Sequence, residues 1–273
     1  MKKNTGKKDH FIDMSFEPTT IKNPLKMDDS IAANYRGYVT LDPNKDFILN
    51  DKIGKILENS CPTHAITYQK DDLKINLDNG KCILCGNCQV KSPELIKITN
   101  KFDLAKKRRD DLIETFSMSV PFGKTYDELG KELKNKIDKI FGRSLAIREI
   151  DAGSCNGCEI EINALNNPIY DIERYGITFV ASPRHADILL VTGPPSKNME
   201  RALKIAYDST PNPKLVIAVG ACACSGGIFG NNYATTGGID NIVPVNVYIP
   251  GCPPRPQALL YGILMAINKS GFA

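Results

Sequence analysis

Tryptophan is absent from this chain, aromatic residues make up only 7%, and the charge excess is just +4, with 35 Lys and Arg against 31 Asp and Glu. A nucleic-acid-binding surface concentrates basic residues and interleaves them with aromatic stacking platforms, so no nucleic-acid partner is expected. No apolar run approaches the roughly 18 residues of a membrane-spanning helix, so no direct membrane span is expected. The start, Met1 to Lys8, is basic, but residues 9–15 add no apolar core, and no export signal is expected. Hydrophobic residues at 42% and charged residues at 24% exclude a disordered or collagen-like chain. A length of 273 residues suffices for two ordinary domains. Against these absences stand nine cysteines. In a reducing cytosol such residues are metal ligands more often than disulfide partners.

The cysteines fall at 61, 82, 85, 88, 155, 158, 222, 224 and 252, in two groups separated by residues 89–154. The gap holds two charged, helix-like runs, 103–115 and 126–141. In the second, Leu129, Leu133, Ile137 and Ile140 recur at helical spacing. The expected organisation is one domain over 30–100, a helical linker over 101–143 and another domain over 144–273. The basic cluster Lys106-Lys-Arg-Arg109 reads as a solvated helix face, with a docking surface as the alternative.

The first group reads Cys61-Pro62 and then, after the turn Asp78-Asn-Gly80, Cys82-Ile-Leu-Cys85-Gly-Asn-Cys88. A C-x2-C-x2-C run wraps three thiolates around one face of an iron–sulfur cube, and a distant Cys-Pro supplies the fourth, as in bacterial ferredoxins. Cys61, Cys82, Cys85 and Cys88 are therefore the expected ligands of one 4Fe–4S cluster. The position completing the Cys82 run is Ser92, still followed by Pro93. Counting back from Cys61 by the same spacing gives Asp51, Gly54 and Leu57. All four ligands of a second ferredoxin cluster are thus missing together, as expected for one cluster lost as a unit. A structural zinc site is the rival for four thiolates. The Cys-Pro, the matching Ser92-Pro93 and the apolar neighbours Ile66, Ile83 and Leu84 favour the cluster. Upstream, Asn34-Tyr-Arg-Gly-Tyr-Val-Thr-Leu-Asp-Pro43 resembles the opening of the two-cluster ferredoxin subunits of complex I and its hydrogenase relatives. The ferredoxin resemblance extends over about Tyr35 to Thr99 and implies a small α+β, ferredoxin-like fold.

From Ser144 the pattern becomes strand–helix alternation. Short β-branched runs at 145–150, 177–181, 188–192, 215–219 and 245–249 suit buried parallel strands. Helical stretches at 158–165, 199–207 and 256–268 lie between or after them. The expected fold is an α/β, flavodoxin-like, doubly wound parallel sheet. On it, Cys155, Cys158, Cys222 and Cys252 follow strand ends, where open α/β sheets build their sites. The glycine-rich motifs around them, Gly153-Ser-Cys155-Asn-Gly-Cys158, Gly220-Ala-Cys222-Ala-Cys224-Ser-Gly-Gly227 and Pro250-Gly-Cys252-Pro-Pro-Arg-Pro256, allow tight turns around a bulky inorganic group.

Residues 144–270 resemble the small subunit of nickel–iron hydrogenases and the homologous 20-kDa subunit of complex I. The resemblance rests on Cys155-Asn-Gly-Cys-Glu-Ile-Glu161, Ser182-Pro-Arg-His-Ala-Asp187, the Gly-x-Cys-Ala-x-x-Gly-Gly element and Gly251-Cys-Pro-Pro-Arg-Pro256. It implies that Cys155, Cys158, Cys222 and Cys252 bind a 4Fe–4S cluster, making two clusters in the chain. It leaves Cys224 as a bystander or a thiol just outside the ligand set. The spaced C-x2-C at 155–158 is similar to the hydrogenase branch, since the complex I subunit carries adjacent cysteines there. The short domain is similar to membrane-bound, energy-converting hydrogenases of the formate hydrogenlyase type. The resemblance implies an electron-transfer subunit without a complete active site of its own. Its implied partners are a nickel–iron hydrogenase-type large subunit, other hydrophilic electron-transfer subunits and a membrane arm. Its implied place is peripheral, on the cytoplasmic side of the membrane. A complex I-like subunit passing electrons to quinone or a sulfur substrate is the alternative, and a zinc-stapled interaction protein is a further one.

Glu161, three residues after Cys158 and on the same helix face, is the expected proton-moving residue, with Glu159 as second choice. A helix-start carboxylate bonded to backbone amides or to a partner's Arg is the plainer alternative. Arg184 and Arg255 either stabilise a reduced cluster or bond a carbonyl or carboxylate of the partner. His64 and His185 read as turn or surface residues. The apolar face of Leu259, Leu260, Ile263, Leu264 and Ile267 reads as core.

Overall fold

The computed structural model of the chain describes Thr20 and residues 35–44, 47–117 and 144–268. The predicted helix over 126–141 lies outside these residues. Among them, residues 35–117 contribute two small antiparallel sheets and two helices. Strand β1 (Tyr38–Leu41) pairs with β4 (Ile96–Thr99), while β2 (Ile66–Gln69), β3 (Lys74–Asp78) and β5 (Ile113–Ser117) follow in that order across the other sheet. Helix α1 (Asp51–Ser60) is started by Asn50, whose side chain accepts the Ile53 N–H at 2.9 Å. Short helix α2 (Asn87–Lys91) follows the cysteine loop. Leu41, Leu57, Ile75, Leu77, Leu95 and Ile96 form the core of this α+β unit.

In residues 144–268, five strands are hydrogen-bonded in parallel: β6 (Leu145–Asp151), β7 (Ile177–Phe179), β8 (Ile188–Thr192), β9 (Leu215–Val219) and β10 (Val247–Ile249). The order across the sheet is β10-β9-β8-β6-β7, which is 2-1-3-4-5 counted from its far edge within this unit, the doubly wound arrangement. Successive residues face opposite sides. Ile188 and Leu190 pack with helix α3 (Gly157–Ala164) and helix α6 (Pro256–Asn268). Leu189 and Val191 pack with helix α4 (Lys197–Ser209) and helix α5 (Gly220–Ser225). Residues buried on both sheet faces explain the continuous apolar runs. Buried Asp187 joins two strands: its carboxylate accepts the Ala146 N–H at 2.9 Å, and its own N–H bonds the Ala146 carbonyl at 2.8 Å. Among the described residues no helix is long and apolar enough to cross a membrane.

The segment 103–115 departs from expectation, because it is not an α-helix. Lys106 pairs with Tyr248 of β10 through two backbone hydrogen bonds, of 3.0 and 2.8 Å. A single 3-10 turn (Arg109–Leu112) follows, and the chain then enters β5. Edge strand β10 has an unpaired side, and pairing with Lys106 satisfies it better than a helix could. Phe102 and Ala105 join the core on one face of the parallel sheet, and Leu112 joins the core on the other. Residues 102–117 therefore strap the two units together. The basic cluster is likewise not a solvated helix face, since the Arg109 side chain is turned inward and only 20% exposed.

Candidate functional site

Cys61 ends α1, Cys82 and Cys85 lie on the loop after β3, and Cys88 is buried in α2. These four thiols line one concavity, walled by Val39, Ile66 and Leu77. Backbone amides already point at the sulfurs: Ala65 N–H donates to Cys61 Sγ at 3.2 Å and Leu84 N–H to Cys82 Sγ at 3.4 Å. The Arg36 guanidinium pins the loop through the Leu84 and Cys85 carbonyls, at 3.0 and 3.1 Å. Burial pushes the Cys82 thiol up to about 12, and the neighbouring cysteines add to it. Burial likewise pushes Cys88 to about 11. Thiols this reluctant to ionise need a cationic group beside them to become thiolates.

The positions where another ferredoxin cluster would be held are closed. Leu57 is fully buried in the core, and Ser92 is 2% exposed with its hydroxyl unpartnered among the described residues. A Cβ on Gly54 would stand 2.4–2.5 Å from the Tyr68 ring, which fills the space beside α1.

Cys155, Cys158, Cys222 and Cys252 gather at the carboxyl edge of the parallel sheet. Cys155 follows β6 and Cys158 sits in the first turn of α3. Cys222 sits in α5, directly after β9, and Cys252 follows β10. Cys155 and Cys252 are exposed, so this site opens to the surface. The glycines are packed against the sulfurs. A Cβ on Gly220 would stand 2.7 Å from Cys158 Sγ, and one on Gly227 2.8 Å from Cys222 Sγ. Both have φ in the left-handed region, +83° and +56°, where a side chain is strained in any case. Burial raises the Cys158 thiol, with Glu159 and the other three thiols adding to the shift. Cys222 is pushed up to about 11 by burial and by Cys252 and Cys155, and Cys252 is raised by burial and Cys155. The ninth thiol is set apart: Cys224 is buried on the α4–α5 face of the sheet, with its Sγ directed at the Ala218 carbonyl, 3.8 Å away.

Each quartet brings four sulfurs into mutual electrostatic reach. Among the described residues, no three Cys, His, Asp or Glu side chains converge as they would around a single metal ion. Soft sulfur donors, amides aimed at sulfur and glycine cradles that a Cβ would fill all suit an iron–sulfur group.

Glu161, on α3, is half-buried. Burial lifts its pKa above the usual carboxylate value, and the positive charge of Arg255 opposes the rise. The Arg255 guanidinium lies 4.6 Å from the ring centroid of Tyr35 and bonds Gln257 through Nε at 2.6 Å. Arg184 is exposed in the 3-10 turn Pro183–His185. Both carboxylate oxygens of Glu159 are buried without a hydrogen-bond partner among the described residues. Sequence reasoning missed Glu149 of β6, whose carboxyl accepts a hydrogen bond from Thr192 Oγ1 at 3.3 Å and is raised by burial and by Glu159. The signal available for it was the pair of charges Arg148-Glu149 interrupting the apolar run of strand β6.

Residues 155–266 match the family model of the NADH ubiquinone oxidoreductase 20-kDa subunit. Over 131 residues the chain is 50% identical to the probable membrane-bound hydrogenase subunit mbhJ of Pyrococcus furiosus, covering 48% of this chain and 78% of that protein. It is 51% identical over 149 residues to formate hydrogenlyase subunit 7 of Escherichia coli, covering 55% of this chain and 58% of that one. It is also 51% identical over 114 residues to an NADH-quinone oxidoreductase subunit of Geotalea daltonii, covering 42% of this chain and 66% of that one.

Proposed function

The chain belongs to the family of the NADH ubiquinone oxidoreductase 20-kDa subunit, and on that premise we propose that it is the electron-relay subunit of an energy-converting nickel–iron hydrogenase. The observation that carries the proposal is the pair of cysteine quartets, one in the α+β unit and one at the carboxyl edge of the parallel sheet. Cys61, Cys82, Cys85 and Cys88 would hold one 4Fe–4S cluster in a ferredoxin-like domain, and Cys155, Cys158, Cys222 and Cys252 the other. When bound, the clusters supply one-electron transfer. The cysteines give up their protons on ligation, the Ala65 and Leu84 amides bond the sulfurs, and the glycines leave room for close approach. Cys224 stays outside the ligand set. Glu161 holds or passes a proton beside the second site, its protonated form favoured by burial. Electrons would run to or from a nickel–iron large subunit, for proton reduction or hydrogen oxidation. Attachment would be peripheral, through other hydrophilic subunits and a membrane arm on the cytoplasmic side.

The spaced cysteines at 155 and 158, together with the similarity to two hydrogenase subunits, favour this over a complex I-like relay to quinone or a sulfur substrate. Metal analysis of the anaerobically purified chain is expected to give about eight irons, four for each quartet. About four irons, or stoichiometric zinc, overturns the two-cluster reading. The complex captured through this chain is expected to contain nickel, and a redox-active complex without nickel overturns the hydrogenase assignment in favour of the quinone or sulfur reading.

A further inference from the structure

We infer that Arg109 is a positioning residue that sets the spacing between the two cysteine quartets. It lies in the 3-10 turn of the strap, where the chain passes from the edge of the parallel sheet into β5. Its Nη1 and Nη2 donate to the two carboxylate oxygens of Asp78, at 2.8 Å each. Its Nε donates to the carbonyl of Cys224 at 3.0 Å. One planar guanidinium thus holds a carboxylate of the first unit and a backbone carbonyl of the second.

Both partners lie next to the quartets in the chain. Asp78 Oδ1 also accepts the Gly80 N–H at 2.9 Å, Asn79 N–H bonds the Leu112 carbonyl at 2.9 Å, and Cys82 N–H bonds the Asn79 carbonyl at 3.3 Å. The turn that delivers Cys82 is therefore built onto the strap. On the other side, Cys224 shares the short helix α5 with Cys222. The space has no slack, since a Cβ on Gly80 would stand 2.6 Å from the Arg109 guanidinium carbon. Burial disfavours the charge on Arg109, but hydrogen bonds and attraction from Asp78 outweigh it and raise its pKa. Lysine cannot reproduce the contact, because an ammonium is a point charge and not a fork with a third donor at fixed angle.

Arg109 acts through Asp78 and α5, as no thiol is among its hydrogen-bond partners. Electron tunnelling weakens steeply with distance, so a joint that holds the two units in one placement holds the relay rate as well. This rests on the two-cluster reading proposed above.

The test uses the full-length chain with its clusters assembled anaerobically, as wild type, Arg109→Gln, Arg109→Lys and Gly80→Ala. Gly80→Ala displaces the guanidinium while leaving its charge. Iron content and the intrinsic signal of each cluster, read with the other held oxidised, are expected to match wild type in all three. The magnetic splitting between the two reduced clusters, which reports their separation, is expected to weaken most in Arg109→Gln, although the Lys106–Tyr248 backbone bonds and buried Phe102, Ala105 and Leu112 still tie the units. It is expected to weaken in Gly80→Ala and in Arg109→Lys. If Arg109→Gln does not fold, the other two variants decide. Unchanged splitting with only a lower melting temperature overturns the inference and makes the clasp a stability element. A wild-type chain with about four irons fails differently and overturns the two-cluster reading along with the inference, whereas about eight irons with no splitting in wild type overturns the inference alone.

Discussion

The two cysteine quartets are built in opposite ways. In the α+β unit, three thiols come from seven consecutive residues and one from the end of a helix, so a single loop does most of the wrapping. At the parallel sheet, the thiols come from three strand ends spread over about a hundred residues, and the loop of one strand presses on the thiol of another. Gly220, directly after β9, faces Cys158, which follows β6. The local quartet depends on loop geometry, and the distributed one depends on the sheet holding its register. The first is the more enclosed, with Cys88 buried and Cys85 exposed, while the second buries none of its thiols and exposes both Cys155 and Cys252.

The sharpest way to break this contrast is Gly220→Ala. The new methyl has nowhere to go but into Cys158 Sγ, and the left-handed backbone adds strain of about 1–3 kcal/mol. Iron is expected to fall from about eight to about four per chain, with the spectrum of the α+β quartet intact. Loss of both signals together refutes the independence of the two sites.

A smaller effect is expected on the other side of the comparison. Gly54→Ala places a methyl against the Tyr68 ring and is expected to destabilise the α+β unit by about 1–3 kcal/mol, read by denaturant unfolding. Tyr68→Ala is expected to remove most of that penalty in the double variant, because the clash then disappears. Additive effects would show that the ring does not fill the space beside α1.

The smallest effect concerns Glu161. Its native pKa lies above the ordinary value near 4.5 because of burial, so the folded chain binds that proton more tightly than the unfolded one. Its contribution to stability is fully present below about 4.5 and is lost as pH rises through the raised native value. Glu161→Gln is therefore expected to flatten this part of the melting temperature against pH, and parallel curves would refute the shift. In the assembled complex the same variant is expected to keep both clusters and slow hydrogen turnover. Unchanged turnover removes Glu161 from the proton path.

Much of this molecule is readable along the chain, for identifiable reasons. The parallel strands are legible because burial on both faces forces short β-branched runs, such as the fully buried stretch Ile188–Thr192. The grouping of Cys82, Cys85 and Cys88 is legible because a C-x2-C-x2-C spacing brings three thiols together within one short stretch of chain. The segment 103–115 misleads because its charges suggest a solvated helix, whereas its backbone partner, Tyr248, stands more than a hundred residues away. Arg109 is invisible for the same reason: its partners, Asp78 and Cys224, lie on opposite sides of it in sequence and meet only in the fold.

Residue order alone therefore determined which thiols belong to the local quartet, which runs become strands, and that positions 51, 54, 57 and 92 carry no cysteine. Each of these follows from short-range geometry, since helix, strand and loop repeats are written within a few residues. Tertiary structure alone decided that Tyr68 closes the vacated place, that Cys224 turns into the core and away from the surface, and that Arg109 joins the two units. Those outcomes depend on which distant groups must share space or satisfy a buried hydrogen bond, and that is set only when the sheets and helices pack.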